Sequence, residues 1–430
     1  MKSKFLFSLI FLASLVSCSS DSSNSDPGSS SGSGNGNGTN EVELKCEIAP
    51  TSMVADNSIT IKYNNGSAPT IDNAYADSVK IEIDGEHIVA EIITDTEAKK
   101  EDAKREYNFI ISGATSNGSL KINGDSRMGL YLNGTSITNP GGPAINIQNN
   151  KKISVRLGGE NHLSDGPGWT PETSTKATFF SEGTLIFTGG GLLEVKGKSS
   201  HAIVSDGHFE IMNGCITIPE AERDGLHVND SVRISGGTIN IKSKGDAIQS
   251  ERMSVKISDG KMAVKTSGIK SHGIVSAGTI TIERNPEIHI SVSGNGSKGL
   301  NSTGHTKITG GTINISASGG RHIEDIDNIL KDTSNAAGMK VDQTLSLEGG
   351  ELTIKSLGSK AKGINVKGNM NMSGGKIAIE ADDDGIKVDG ALNITGGSGS
   401  VTSRSKLAID CGSPKPCPEG SLQLRDPGRF

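Results

Sequence analysis

A short pattern of residues returns along the chain from about residue 177 to residue 410. Its marker is a small residue followed by an aliphatic one, and successive markers are 22 to 26 residues apart, except where an insertion near 320–336 lengthens one interval to 39. The markers are Ala202-Ile203, Gly225-Leu226, Ala247-Ile248, Gly273-Ile274, Gly299-Leu300, Gly338-Met339, Gly363-Ile364, Gly385-Ile386 and Ala408-Ile409. A period of roughly 20 to 50 residues is typical of solenoids, propellers and repeat arrays.

Within one period, apolar residues alternate with polar ones in three short runs. In the period that starts at Gly225, three aliphatic pairs point to the same side: Leu226/Val228, Val232/Ile234 and Ile239/Ile241. This alternation predicts half-buried strands, and three strands per period, stacked about 4.8 Å apart, are the pattern of a parallel β-helix. A propeller of the WD type needs about 40 residues per blade and a Trp-Asp signature, which this sequence lacks. We therefore predict an all-β, single-stranded parallel β-helix of about eleven turns.

The composition agrees with a repetitive β protein and excludes other classes. The chain has 57 glycines among its 430 residues and only 3% aromatic residues, which is unlike a conventional α/β enzyme. Its formal net charge is -6 at pH 7. An acidic chain has no electrostatic footprint for nucleic acid, so DNA and RNA are excluded as partners.

The N-terminus has the features of an export signal with a lipid anchor. Lys2 and Lys4 precede an apolar run over residues 5–16, which has the length of a signal-peptide core and is too short to span a bilayer. The run ends just before Cys18, in a sequence similar to the lipobox of bacterial lipoproteins, so Cys18 is the predicted lipidation site. Residues 19–40 are rich in Ser, Gly and Asn, as in a flexible tether. We expect an exported protein, anchored by lipid in the outer membrane of the cell envelope, with its surface exposure left open.

The remaining residues divide by the regularity of the repeat. Residues 41–140 match the period less well, and we interpret them as an N-terminal cap with the first, irregular turns. Residues 141–410 are the predicted β-helix, and residues 411–430 are a C-terminal tail. The insertion at 321–335 is compatible with a short amphipathic helix or with a long polar loop.

Four cysteines remain after Cys18. An exported protein reaches an oxidising compartment, which favours disulfides between them. Cys411 and Cys417 are six residues apart, which favours a disulfide that closes a small terminal loop. The pairing of Cys46 and Cys215 is left open. No pair of cysteines has the C-x-x-C spacing of a zinc site, so structural cysteines are favoured.

Four stretches of sequence in the first half of the chain resemble a known family. They are residues 107–122, Gly129-Leu130-Tyr131-Leu132-Asn133-Gly134-Thr135-Ser136-Ile137-Thr138, Pro143-Ala144-Ile145-Asn146-Ile147 and Leu157-Gly158-Gly159-Glu160-Asn161-His162-Leu163-Ser164-Asp165-Gly166. Their order resembles the polysaccharide-lyase-like, calcium-binding carbohydrate-binding domain family over residues 79–410. The resemblance implies a right-handed parallel β-helix that binds calcium and plant cell-wall polysaccharides, acidic ones included, without established catalysis. Glu160 departs from the family, which has Thr or Ser at that position.

Acidic residues recur on the outside of the predicted β-helix. The residue two positions before the aliphatic marker is Asp224 in one turn and Asp246 in the next, so stacking at about 4.8 Å brings their carboxylates together. With Glu251 nearby, they form a candidate calcium site, because a hard cation with six to eight oxygen ligands relieves the repulsion between carboxylates. A second candidate site is formed by Asp382, Asp384 and Asp389. Solvated turn aspartates are the alternative interpretation of both clusters.

Candidate sugar-binding residues lie beside these acidic clusters. They are Arg223, Arg252, Lys387 and Trp169, which is the only tryptophan of the chain. The shortage of aromatic rings argues against stacking on flat cellulose chains and favours polar, calcium-bridged recognition of charged glycans. For Trp169, packing within the cap is the alternative to a rim contact.

The leading hypothesis is a non-catalytic, calcium-assisted polysaccharide-binding lipoprotein, with an acidic plant or cell-wall glycan as its partner. Two alternatives stay open, a calcium-dependent lyase that cleaves uronate glycans by β-elimination and a structural or adhesive spacer. Paired carboxylates are also compatible with a glycosidase. Residues 41–430 have no Gly-x-Ser-x-Gly nucleophile motif and no lyase-type motif, so catalysis is the less favoured interpretation.

Overall fold

The computed structural model of the chain describes residues 42–51, 53, 55, 57–93, 106–172, 175–327, 330–413 and 415–427. The predicted signal segment, the lipidation site Cys18 and the tether at 19–40 lie outside these described residues. The described residues form strands and turns and no helix. Accordingly, no helix among them is long and apolar enough to cross a membrane.

The strands are short and follow one another throughout the described chain. The first group is β1 (Ile59–Asn64), β2 (Thr70–Asn73), β3 (Val79–Asp84), β4 (Glu86–Ile92), β5 (Glu106–Thr115), β6 (Gly118–Asn123), β7 (Arg127–Asn139), β8 (Ile145–Gln148), β9 (Lys152–Gly158), β10 (Glu160–Asp165), β11 (Ala177–Ser181), β12 (Thr184–Gly189) and β13 (Leu192–Gly197). The second group is β14 (His201–Ser205), β15 (Phe209–Ile211), β16 (Cys215–Ala221), β17 (Leu226–Val228), β18 (Val232–Ile234), β19 (Thr238–Ser243), β20 (Ile248–Ser250), β21 (Val255–Ile257), β22 (Lys261–Thr266), β23 (Ile274–Ser276), β24 (Ile280–Ile282), β25 (Glu287–Val292), β26 (Lys298–Ser302), β27 (Thr306–Ile308) and β28 (Thr312–Ala317). The third group is β29 (His322–Asp327), β30 (Leu330–Ser334), β31 (Ala337–Val341), β32 (Leu345–Leu347), β33 (Glu351–Ser356), β34 (Lys362–Val366), β35 (Met370–Ala381), β36 (Ile386–Ser403), β37 (Ile409–Ser413) and β38 (Leu422–Arg425).

These strands stack as three parallel ladders. From β11 to β25, each strand pairs with the third strand before it and with the third strand after it. We number the ladders in chain order within a turn, so that β14, β17 and β20 belong to ladder one, β15, β18 and β21 to ladder two, and β16, β19 and β22 to ladder three. The arrangement confirms the predicted all-β solenoid, with about 12 turns. Its right-handedness stays a prediction.

The aliphatic marker of each turn points inward and stacks on the marker of the next turn. Ile203 pairs with Leu226, Leu226 pairs with Ile248, and the file continues in register to Ile409. Every side chain of this file is at most 7% exposed. Similar files from ladders two and three complete one continuous apolar core, as the alternation of apolar residues predicts.

The small residue of the marker is explained by crowding inside the turn. A Cβ atom on Gly299 would overlap Cγ2 of Ile315, which points into the core from β28 in the same turn. Gly225, Gly273, Gly338 and Gly363 meet the equivalent isoleucine of their own turns in the same way. Alanine is found at this marker position in the turns of Ala202, Ala247 and Ala408, all of which are fully buried.

A second set of glycines lets successive turns approach at the corner between ladders three and one. In Gly268, Gly294, Gly319 and Gly358, an added Cβ would overlap a backbone carbonyl of the preceding turn, and in the last three that carbonyl belongs to the preceding glycine of the set. Backbone cannot move aside as a flexible side chain can, so a Cβ at these four positions forces successive turns apart.

The parallel pairing extends beyond the predicted bounds of 141 and 410. At the N-terminal side, β4 already pairs in parallel with β6, and β1 with β5. Antiparallel strands pair with the first rungs, β3 with β4 and β2 with β1. At the C-terminal side, β38 pairs in parallel with β36, so the predicted tail adds a rung to ladder three.

The insertion at 321–335 forms neither the amphipathic helix nor the polar loop that the sequence allowed. It is an antiparallel hairpin of β29 and β30, in which Glu324 lies opposite Asp332. Its base is closed by a 2.7 Å hydrogen bond from Arg321 Nε to Asn335 Oδ1. Lys270, which lies two turns before the hairpin, binds both Glu324 and Asp332, at 2.6 and 3.2 Å. These contacts with the solenoid depend on long-range packing, and they explain why a strand pair replaces a local helix.

Two disulfides connect the four remaining cysteines. Cys411 pairs with Cys417, the pairing that their spacing favoured, and Cys46 pairs with Cys215 across 169 residues. The second bond holds residues 42–51 against the outside of the solenoid. Leu44 and the side chain of Asn240 exchange hydrogen bonds there, at 3.0 and 2.8 Å.

The corner glycines generate a stability prediction. Gly294→Ala places a methyl group on the Gly268 carbonyl oxygen, so we expect it to lower the free energy of unfolding by about 1–3 kcal/mol. The matched control is Gly141→Ala, because a Cβ at that exposed position meets no atom closer than 3.9 Å. Urea unfolding followed by circular dichroism measures both. Equal midpoints for the two variants would contradict the crowded corner.

Candidate functional site

The outside of ladder one carries two neighbouring columns of mostly polar side chains, which together we call the polar face. The corner column, at the start of the ladder-one strands, contains His201, Asp224, Asp246, His272, Lys298, Ala337, Lys362 and Asp384. The outer column, in the middle of these strands, contains Val204, His227, Gln249, Val275, Asn301, Lys340, Asn365, Lys387 and Asp410. Because strands of a parallel ladder lie about 4.8 Å apart, each column brings residues from successive turns into contact.

Side chains of the corner column accept hydrogen bonds from the backbone of the next turn. His201 Nδ1 accepts from the Asp224 amide at 3.2 Å, and Asp224 Oδ1 accepts from the Asp246 amide at 2.8 Å. Asp246 Oδ1 accepts from the His272 amide at 2.5 Å, and His272 Nδ1 accepts from the Lys298 amide at 3.0 Å. The predicted stacking of Asp224 and Asp246 is therefore present, as part of a longer series of five residues.

Asp224 lies in a pocket of imidazole rings. Its Oδ2 is 2.9 Å from His227 Nδ1 and 3.2 Å from His201 Nδ1, and its side chain is buried. His227 Nδ1 also lies 3.0 Å from Gln249 Oε1, so this nitrogen is a donor to two oxygen acceptors. Burial by itself raises the pKa of Asp224, but the two histidines outweigh it and hold the pKa well below its usual range.

Asp246 is shifted in the opposite direction. Burial and the neighbouring Asp224 carboxylate raise the pKa of Asp246 to about 7. The repulsion between the stacked carboxylates is thus reduced in two ways. Imidazole stabilises the negative charge of Asp224, and the raised pKa of Asp246 favours its protonated form.

The first predicted calcium cluster does not offer the oxygen atoms that calcium needs. Both oxygens of Asp224 and one oxygen of Asp246 already accept hydrogen bonds or contact histidine. Glu251 is exposed and lies 3.7 Å from His227 Nε2. Potential ligand atoms of His201, Asp224 and His227 lie within 4.8 Å of one another, but this donor set is rich in nitrogen, whereas calcium takes six to eight oxygens.

The second predicted cluster is neutralised by lysine. Asp384 Oδ2 lies 2.5 Å from Lys362 Nζ, which also contacts Asp383 at 3.0 Å. Asp382 accepts a hydrogen bond from the Lys360 amide at 2.7 Å, and Asp389 is exposed. The residues of both clusters lie on one side of the solenoid, but the acidic groups are satisfied by protein partners, so the fit to calcium is poor at each.

The predicted sugar-binding residues are placed differently from one another. Arg223 and Arg252 are exposed beside the first acidic cluster. Lys387 lies in the outer column, where Asp410 binds it at 2.9 Å and raises its pKa. Trp169 is half-buried in the loop after β10, where its Nε1 donates a 2.8 Å hydrogen bond to the fully buried Asp165. This bond orients the ring within its loop.

Several polar-face residues were not predicted as functional. They are the histidines His201, His227 and His272 and the lysines Lys298, Lys340 and Lys362. The signal that identifies them is the register itself, because each lies two residues before an aliphatic marker or directly after it. The columns that carry the predicted carboxylates also carry imidazoles and ammonium groups.

Comparison with known proteins gives one family and one solved structure. A family model described as "Carbohydrate-binding domain-containing protein" matches residues 101–385, which is more than half of the chain. A solved structure of a polysaccharide lyase-like protein from C. thermocellum, a gadolinium derivative, is similar with a TM-score of 0.36 and 20% sequence identity, covering 79% of this chain and 99% of that chain. No curated protein matches the chain.

The raised pKa of Asp246 predicts a pH-dependent stability. Between the ordinary pKa of an aspartate and about 7, the folded protein holds a proton on Asp246 that the unfolded chain has released, so stability falls as the pH rises through that range. Asp246→Asn removes this titration and keeps an oxygen that accepts the His272 amide. We expect the variant to exceed the wild type in unfolding free energy at pH 8, by up to about 4 kcal/mol, and to lose this advantage at pH 4.

Urea unfolding at the two pH values measures this difference. The control is Asp125→Asn, an exposed aspartate that forms a surface ion pair with Lys151, where we expect little change at either pH. A wild type that is as stable as Asp246→Asn at pH 8 would show that the pKa of Asp246 is not raised in the folded protein.

Proposed function

The chain belongs to the carbohydrate-binding domain-containing protein family, and from this we propose that it is an exported, lipid-anchored envelope protein that binds an acidic polysaccharide along its polar face. Binding is the primary activity, without cleavage of the glycan. The solenoid acts as a rigid support that presents the same kind of polar surface in turn after turn.

The observation that carries the proposal is the length and continuity of the polar face. Ladder one stays in parallel register from His201 to Asp410, and its outward positions are almost all polar or charged. A polymer needs a binding surface that repeats along its own length, and stacked turns at about 4.8 Å supply one. With only 3% aromatic residues in the chain, recognition rests on hydrogen bonds and charge.

Export and lipid anchoring are supported by the N-terminal sequence and by the cysteines. Both disulfides, Cys46–Cys215 and Cys411–Cys417, are typical of an oxidising compartment outside the cytosol. Acylation of Cys18 with several chains gives stable anchoring, which a single chain does not. We place the folded part on the outer membrane, separated from the lipid by the tether at 19–40.

One observation favours a second candidate function, β-elimination on uronate glycans. Burial, together with the neighbouring Lys340 and Lys270, lowers the pKa of Lys298 to about 8, so part of the population is neutral near physiological pH and able to take a proton. Incubation with polygalacturonate tests this candidate by the absorbance of unsaturated products. A larger increase in absorbance for the wild type than for the Lys298→Met variant establishes a lyase. An absorbance that stays constant over hours leaves binding as the activity.

The binding proposal predicts selectivity for charged polysaccharides. In pull-down assays with pectin, xylan and cellulose, we expect retention on de-esterified pectin and none on cellulose, because the polar face lacks an aromatic platform. Each assay is run with calcium and with a chelator, which separates a metal-assisted mode from a metal-free one. Retention on cellulose alone, or attachment to proteins with no glycan signal, would contradict the proposal and favour a spacer or an adhesin.

The anchoring proposal predicts the effect of removing one sulfur atom. Cys18→Ser abolishes the acylation site, so we expect the protein to move from the detergent phase to the aqueous phase on Triton X-114 partition of cells that express it. The wild-type sequence in the same cells is the control. A variant that stays in the detergent phase would show that another segment holds the protein on the membrane.

A further inference from the structure

A cleft of about 510 Å³ opens in the middle of the polar face, between ladder one and the β29–β30 hairpin. On the ladder side its lining includes Lys298, Lys340, Lys362 and Lys367, and on the hairpin side it includes Asp332 and Ser334. Five lysines, with Lys270 as the fifth, and one carboxylate line the cleft. No other part of the polar face collects so many like charges among the described residues.

Two of the five lysines are neutralised by carboxylates of the protein. Lys270 is bound by Glu324 and Asp332, and Lys362 is bound by Asp383 and Asp384. These two lysines are therefore structural, since they fix the hairpin and the base of the cleft.

Lys298 has no such partner. It is only 8% exposed, and its Nζ donates to the Gly296 carbonyl at 2.6 Å and to Ser334 Oγ at 2.5 Å. Within the described part of the chain, no carboxylate lies within salt-bridge distance of this ammonium. A buried charge without a counter-ion is costly, and the lowered pKa of Lys298, caused by burial and then by Lys340 and Lys270, reflects that cost.

Lys340 and Lys367 share one carboxylate. Asp342 Oδ1 lies 3.1 Å from Lys340 Nζ and 3.2 Å from Lys367 Nζ. One negative charge thus faces two positive ones. The five lysines of the cleft are matched in number by the five carboxylates that contact them, but the subset Lys298, Lys340 and Lys367 is contacted by Asp342 alone and so carries about two positive charges in excess. An anion in the cleft would meet ammonium groups from successive turns of the ladder.

We propose that this cleft is an anion subsite that takes a carboxylate or sulfate group of an acidic polysaccharide directly on its lysines, without calcium. The inference rests on the proposed function and identifies the part of the polar face that binds the charged groups of the glycan. In a calcium-dependent site, a metal bridges protein carboxylates to ligand carboxylates. Here ammonium groups occupy the same column as the aspartates and supply the positive charge themselves.

The family of the chain favours a glycan over a nucleic acid as the ligand of the cleft. The lysine-rich region is short, because Asp224 and Asp246 lie in the corner column on one side of it and Asp383 and Asp384 lie on the other. The whole chain has a net charge of -6, so the electrostatic footprint of a nucleic-acid-binding protein is missing.

The experiment uses the soluble mature chain, beginning after Cys18, and the charge reversal Lys367→Glu. Its matched control is Lys307→Glu in ladder two, because both lysines are about half exposed, 54% and 49%, and each is bound by one carboxylate, Asp342 and Glu348. Binding is measured by calorimetry in the presence of EDTA. The probes are polygalacturonate for carboxylates, dextran sulfate for sulfates and single-stranded DNA for phosphates. Methyl-esterified polygalacturonate and dextran are the neutral counterparts of the two glycans.

We expect the wild type to bind at least one charged probe in EDTA and to bind its neutral counterpart far more weakly. Lys367→Glu should weaken binding by about tenfold or more, whereas Lys307→Glu should stay within about twofold of the wild type. Rising salt should weaken wild-type binding, as expected for charge recognition. Thermal melts of both variants confirm that the fold is kept.

Three outcomes overturn the inference, and they differ in what they leave standing. If the wild type binds an acidic glycan and Lys367→Glu binds as well as Lys307→Glu, the cleft is not the subsite but the proposed function holds. If EDTA abolishes binding, a metal carries it, and again only the cleft is lost. If the wild type binds single-stranded DNA more tightly than any glycan, or binds no polysaccharide at all, the proposed function fails with it.

Discussion

The hydrogen bonds between successive turns are the interaction on which the rest of the structure depends. They hold each strand about 4.8 Å from its equivalents in the turns before and after it, so a residue's neighbours are fixed by its position in the repeat. Inward positions then have to be aliphatic along the whole solenoid, as in the file from Ile203 to Ile409. Outward positions form columns, so a charge in one turn interacts electrostatically with the residue at the same position in the next turn.

The corner column shows how the protein tolerates this enforced proximity. Asp224 is stabilised as a carboxylate by His227, whose Nδ1 donates to it, and burial beside Asp224 raises the pKa of Asp246 in the following turn to about 7. Further along the same column, Asp384 is bound by Lys362. Each means of relief is a protein group or a proton, which explains why stacked carboxylates alone are a weak signal for a metal.

The repeat predicts much of this architecture, because register is a local property of the sequence. The inward files, the stacking of Asp224 on Asp246 and the Cys411–Cys417 loop all follow from spacings of a few residues or of one period. The Cys46–Cys215 bond and the β29–β30 hairpin do not. Both depend on contacts between segments far apart in sequence, and nothing in their own residues identifies the partner. The protonation and ion pairing of the carboxylates could not be predicted from the sequence either, because they depend on the histidine and lysine neighbours that the ladder supplies.

The cleft exists because two departures from the repeat coincide. The column reads Lys298, Ala337 and Lys362 in successive turns, so the one small side chain of the corner column lies between two lysines. The long interval that precedes Ala337 is the one that contains the hairpin, whose Ser334 bonds to Lys298. A regular turn would have placed a polar side chain at that level and a tight corner beside it. Instead, Ala337 leaves space and the hairpin forms the opposite side, so an interruption of the solenoid creates a concave, lysine-lined position on the polar face.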